Sequence, residues 1–287
     1  MKFNRDVRRK IFNWVVAGLC FLCVIAALVP LLSIIYTAFV NGARVLSFNF
    51  LVAPLSFGFC APHVSCYGGI GPALLATLIV VGLASAMSLP AGILAGIYLS
   101  EYGKHPLGRS ISFFTDVMTG SPSIVVGLFV YALFIYFDRA IAFSALSGSV
   151  ALAVIMIPIV TRTTEEGLRL VPNTQREGAY ALGIPRYRTV LQVVLSSGRG
   201  VVITGAILAV MRAAGEVAPL LLTAFWSDRG FTGITQPAGL LGPLIFMDAT
   251  SPSPALVATA WGASLILILL MLGISLTARI ALRKRFG

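Results

Sequence analysis

The sequence predicts an all-α membrane protein of six transmembrane helices, and three features predict it. Of its 287 residues, 58% are hydrophobic and only 11% charged, and the mean hydropathy is +0.95, far from the balance of a soluble globular domain. Six stretches stay apolar over the ~20 residues that a helix needs to cross a bilayer. Lysine and arginine gather in alternate connections between those stretches. The chain is read as a single polytopic domain, 1–287.

The first span, Phe12–Phe39, follows the basic run Arg8-Arg9-Lys10. Its apolar stretch runs from Ile11 to Ala43, far beyond the h-region of about 7–15 residues in a signal peptide, so an uncleaved span is expected. Cys20 and Cys23 lie within it at helical spacing, with no histidine or further cysteine nearby, which favours apolar packing over a metal site. The second span, Pro72–Leu99, carries small residues and then Gly92-x-x-x-Gly96, a spacing that lets helix backbones approach; packing within one bundle is the expected use. The third, Ser110–Phe137, is interrupted by Gly120-Ser121-Pro122-Ser123. Proline removes a backbone donor, and freed backbone at membrane depth needs cover from protein or a water-filled cavity. A transport pathway and a simple kink both satisfy that need. Ala145–Thr161, Gly200–Phe225 and Ala255–Ala278 complete the set.

Seventeen lysines and arginines fall in the N-terminal segment, the second and fourth connections and the C-terminal segment. Three, Arg44, Arg139 and Arg229, fall on the other side. The positive-inside rule then places both termini and the 162–199 loop in the cytoplasm, and the 41–69 connection outside. The net charge of +11 is accounted for by this asymmetry, so no nucleic-acid partner is expected. Cys60 and Cys66 flank five residues of the outer connection and could close a small loop in an oxidising compartment; spacing alone leaves the pairing open.

The cytoplasmic loop is unusually well punctuated. Val171-Pro172 should end the preceding helix. Thr174-Gln175-Arg176-Glu177 fits a capping box, with Thr174 and Glu177 capping reciprocally. A helix of about two turns then runs through Gly178, Ala179, Ala181 and Leu182 and stops at Gly183, which can take a left-handed conformation at C′. Pro185 suits the first position of a second helix leading into the fifth span. Small residues would let another protein's surface come close. With only Tyr180 and Leu182 as bulky anchors, a helix lying on the membrane is disfavoured.

Arg212 and Glu216 stand four residues apart in the fifth span, which puts them on one helix face. Each would cost about 2.5–3.5 kcal/mol near the bilayer centre, so both must face protein or water. Pro219 cannot donate to the Gly215 carbonyl and should loosen the helix there. Arginine's planar fork suits phosphate oxygens, which makes the pair a substrate-pathway candidate; a structural pair that ties helices together is the alternative. Arg162, at the inner end of the fourth span, is a weaker pathway candidate or an interfacial anchor.

Several chemistries are missing from the sequence. No G-x-x-x-x-G-K-[ST] loop for ATP occurs, and His63 and His105 lie on opposite sides. No carboxylate pair is placed for hydrolysis. A transporter subunit without a cofactor, energised by a separate ATPase, is expected rather than an enzyme.

Glu177-x-Ala179 followed by Gly183 is similar to the EAA loop of ABC-importer permeases, E-A-A, three residues, G, nine residues, I-x-L-P. Gly178 stands for the middle alanine, and Val193-x-Leu195-Ser196 for the last four. Ile97-Tyr98-Leu99-x-Glu101-Tyr102, the stretch from Pro122 to Tyr131, and Arg212-x-Ala214-Gly215-Glu216-x-Ala218-Pro219-Leu220-Leu221 resemble the phosphate-importer permease family PstA, over about Gly69 to the C-terminal end. The resemblance implies a MetI-like permease bundle in the inner membrane that moves inorganic phosphate. It also implies a PstC-like second permease, a PstB-like ATPase dimer and a PstS-like phosphate-binding protein as partners. It places functional roles on Arg212 and Glu216. The alternatives are a permease for another oxyanion, the PstC-like partner, a secondary transporter, for which no convincing inverted repeat is found, and an intramembrane enzyme.

Overall fold

Proline, glycine and small-residue positions divide the described residues into twelve α-helices in the computed structural model. It describes residues 2–54, 68–227 and 230–286, with side chains for 7–54, 68–227, 230–277 and 279–280. The helices are α1 (Lys2–Ala43), α2 (Phe48–Val52), α3 (Gly71–Tyr102), α4 (Pro106–Gly120), α5 (Ser123–Phe137), α6 (Ala145–Arg169), α7 (Asn173–Ala181), α8 (Arg186–Arg188), α9 (Leu195–Ala214), α10 (Ala218–Thr223), α11 (Leu241–Ala249) and α12 (Pro254–Phe286). A π-helical stretch, Thr189–Val194, joins α8 to α9 so that Arg186–Ala214 runs as one element. The Cys60–Cys66 pair lies outside the described residues.

Among the described residues, five elements are long and apolar enough to cross a membrane: α1, α3, α6, α8–α9 and α12. The sixth expected span is α4 and α5, bent by 109° at Ser121–Pro122. Here Pro122, which has no N–H to continue α4, sits extended before α5. The fifth span is also broken. Expected to continue to Phe225, α9 ends at Ala214, and α10 begins after Gly215-Glu216-Val217. The fourth span continues past Thr161 to Arg169.

α3 and α6 form the centre of the bundle. A Cβ on Gly92 would lie 2.7 Å from the Val160 Cβ, and one on Gly96 2.7 Å from the Thr161 carbonyl. The Gly-x-x-x-Gly pair is therefore used within the chain, where small residues give the contact that lipid cannot drive. Val80, Ala84, Leu152, Met156, Val160, Ala209 and Ala213 fill the space between α3, α6 and α9. A second cluster, with Phe50, Ile70, Leu241, Leu244 and Ala263, closes the end opposite the α7 loop. There the Leu241 amide donates to the Thr77 hydroxyl at 2.9 Å, fastening α11 to α3.

α1 stands apart from this core. It packs on α12 near its C-terminal end, where Gly42 lies against Trp261 and Leu265. Phe12, Trp14, Phe21 and Leu22 are exposed, as a lipid-facing helix requires. Cys20 and Cys23, expected in apolar packing rather than a metal site, are free and exposed on this helix.

Candidate translocation site and coupling loop

The two broken spans meet. Gly127 of α5 rests on Pro219 of α10, where a Cβ would stand 2.6 Å from the proline Cα. Beside this contact is a cavity of about 80 Å³ whose polar lining is Thr119, Ser121, Ser123 and Arg212, with Met118, Val126, Ile155, Pro158 and Ile159 as its walls. Thr119 donates its hydroxyl to the Thr115 carbonyl and Ser121 to the Val117 carbonyl, so both satisfy the end of α4. The amides of Val125 and Val126 both turn back to the Pro122 carbonyl, leaving those of Ser123 and Ile124 directed out of the start of α5.

Arg212 occupies the last turn of α9, where the helix dipole favours a cation. Its Nε lies 3.5 Å from Glu216 Oε1. The pair was expected on one continuous helix face, but Glu216 lies in the break beyond the helix end. Gly242 at the start of α11 lies against the Glu216 carbonyl, so α11 covers the break. Arg212 is 60% exposed while Glu216 is 15% exposed. The guanidinium is thus held by one long contact and open on one side.

Toward the α7 end of the same α4–α6 face lies a second charged cluster. Arg162 donates to Glu165 at 2.6 Å and to the Ser112 hydroxyl and carbonyl at 2.8 and 3.1 Å, and pairs with Asp116. Glu165, nearly buried, also accepts from Arg169 at 2.7 Å.

In the loop, α7 starts at Asn173 after an extended Pro172, and no side chain caps it. The capping box of Thr174 and Glu177 is therefore not formed; the proline's fixed φ sets the start two residues earlier, and Thr174 falls inside the helix. The other end is as expected. Gly183 has φ +74°, its amide bonds to the Tyr180 carbonyl at 2.9 Å, and the Ile184 amide reaches Ala179 at 3.1 Å, a Schellman termination. Pro185 precedes α8 rather than opening it. Thr174, Glu177, Gly178 and Ala181 are exposed, and Leu182 is 81% exposed. Ala179 instead is buried, on a helix packed against the Thr189–Val194 stretch.

The family of binding-protein-dependent transport system inner membrane components matches residues 88–285. The phosphate transport system permease protein PstA of Haemophilus influenzae is 34% identical over 284 residues, covering 98% of each chain. That of Xylella fastidiosa (strain Temecula1) is 41% identical over 218 residues, 76% of each. The chain belongs to the PstA family of permease proteins. Among solved structures, the MetNI methionine ABC transporter in inward-facing conformations aligns with a TM-score of 0.56 at 20% identity, over 75% of this chain and 94% of that one. An amino acid ABC transporter with histidines aligns at 0.58 and 16%, over 74% and 92%. These likenesses give the MetI-like permease fold, and this PstA-family chain is a multi-pass inner-membrane protein.

The structure brings Arg212 and Glu216 together and sets Arg162 apart, in its own ion-pair cluster. Sequence reasoning missed Asp116, Glu165 and the Glu101–Arg176 pair. A signal for the first two was present: Asp116 is an isolated charge within an apolar span, and Arg162, Glu165 and Arg169 follow helical spacing.

Proposed function

We propose that this PstA-family chain is a permease subunit of an ATP-driven importer of inorganic phosphate. Arg212 is its central anion contact. The observation that carries this reading is the cavity where two broken spans converge on an arginine held by a single long ion-pair contact. Discontinuous helices at a substrate site are a recurring device in transporters, because their free ends offer hydrogen bonds without side-chain cost. The guanidinium binds phosphate oxygens through its planar fork. The free amides at the start of α5 add positive potential. Glu216 re-pairs with Arg212 as the anion leaves, which keeps the hold loose enough for release. Arg162, paired with the exposed Asp116, offers the anion a second, exchangeable station toward the cytoplasm.

The α7 loop and both termini lie on the cytoplasmic side, where the basic residues concentrate. The exposed face formed by Thr174, Glu177, Gly178, Ala181 and Leu182 docks into a PstB-like ATPase dimer. Arg212 is open on the side that a PstC-like second permease completes, and the end carrying α2 and α11 receives a PstS-like phosphate-binding protein. The test is purification of the tagged chain with its neighbours. A complex containing an ATPase, whose hydrolysis rises with phosphate-loaded binding protein, is expected. A chain that transports phosphate alone, driven by an ion gradient, contradicts the proposal.

A further inference from the structure

α7 packs through buried Ala179 on the Thr189–Val194 stretch, and a second deeply placed side chain, Arg176, ties it to α3 and α6. Arg176 is 13% exposed and Glu101, at the end of α3, only 6%. Arg176 donates through Nε and Nη2 to one Glu101 oxygen, at 3.2 and 3.0 Å. Its Nη2 also reaches the Leu168 carbonyl at 3.0 Å, and its Nη1 the Val171 carbonyl at 2.6 Å. One guanidinium therefore ties α7 to the end of α3 and to two carbonyls at and just beyond the end of α6. Arg186 of α8, which follows α7 in the loop, also meets the end of α3, lying 4.6 Å from the Tyr102 ring and donating to the Glu101 carbonyl at 3.4 Å. On the other flank the Ser197 hydroxyl donates to the Gln175 side-chain oxygen at 2.9 Å on an exposed surface.

From these ties we propose that Glu101 and Arg176 are the positioning residues that carry movement of α7 into α3 and α6, and so link the ATPase to the Arg212 cavity. The inference rests on the reading of α7 as the docking helix. α6 supplies Ile155, Pro158 and Ile159 to the cavity wall, and α3 is keyed to α6 along Gly92 and Gly96. A displacement of α7 thus reaches the cavity through a rigid helix pair. A lysine cannot replace Arg176, because no ammonium spans a carboxylate and two separate carbonyls in this fork geometry.

The experiment uses the whole complex in proteoliposomes and reads phosphate transported per ATP hydrolysed. The variants are Arg176→Lys, and Glu101→Leu with Arg176→Met, which removes both charges together and leaves neither one buried alone. Both carry Ala181→Cys, for crosslinking to the ATPase. Retained crosslinking, with a transport-to-hydrolysis ratio lower by about fivefold or more, the lower end of coupling between linked sites, is the expected result. An unchanged ratio with retained crosslinking overturns the linkage but leaves the docking helix standing. Absence of the crosslink in the otherwise parental complex overturns the docking reading, and the linkage with it.

Discussion

Gly127 and Pro219 touch where the third and fifth spans are both interrupted, and a single methyl group on Gly127 would collide with the proline Cα at 2.6 Å. Neither residue carries charge, yet their contact lies beside the cavity that Ser123 and Arg212 both line. It also explains why the two breaks coexist: each half-helix, α5 and α10, is covered by the other.

Gly127→Val should therefore separate the half-helices. Overpacking of this kind costs about 1–3 kcal/mol, seen as a lower unfolding temperature in detergent, and phosphate uptake should fall with it. Gly120→Ala is the control, since nothing lies within 4 Å of a Cβ there; it should leave uptake unchanged.

Most of the bundle was legible in the sequence because hydropathy and helix length report the same constraint, a bilayer that leaves no backbone group unpaired. The break at Pro122 was legible for the same reason. The break at Gly215–Val217 was only half legible. Pro219 signalled a loosened helix, but the chain stops at Ala214 because α11, distant in sequence, packs Gly242 onto the Glu216 carbonyl. In the loop, the capping-box pattern of Thr174 and Glu177 lost to the fixed geometry of Pro172, while Gly183 behaved as its position demanded. The Glu101–Arg176 pair was not legible, since its partners are 75 residues apart and no local spacing links them.

Gly183 tests the loop. At φ +74°, alanine carries a strain of roughly 1–2 kcal/mol. Proline, fixed near −65°, cannot adopt the conformation and loses the bond to Tyr180. Gly183→Pro should leave the permease in the membrane and abolish phosphate-stimulated ATP hydrolysis; Gly183→Ala should reduce it in part. Normal stimulated hydrolysis in the proline variant would show that the α7 termination is not needed for coupling.

Asp248 gives a pH signature. Burial within α11 pushes its carboxyl from the usual 3.8 up to about 6. Because the folded-state value is the higher one, its contribution to stability is fully present below about pH 4 and is lost as pH rises through 6. The full difference is worth roughly 3 kcal/mol. Asp248→Asn should raise the unfolding temperature at pH 7.5 and flatten its decline between pH 4 and 7. An unchanged pH profile would show that Asp248 does not titrate in this window.

Orientation is testable with Phe48→Cys, since Phe48 is 79% exposed on α2, and Gly178→Cys on α7, each in a chain whose four native cysteines are replaced by serine. An impermeant thiol reagent should label position 48 in intact cells and position 178 only after lysis. The reverse pattern would invert the topology.

The central claim is that Arg212 contacts the transported anion, and the initial rate of phosphate uptake by the assembled complex carrying Arg212→Gln tests it most directly. Glutamine keeps a hydrogen-bonding side chain, shorter than arginine's, and removes the charge. Assembly, followed by co-purification of the partners, should be normal, and uptake should fall to that of vesicles without the complex. Uptake at the parental rate by a normally assembled variant would make Arg212 a structural partner of Glu216 and remove the cavity from the transport pathway.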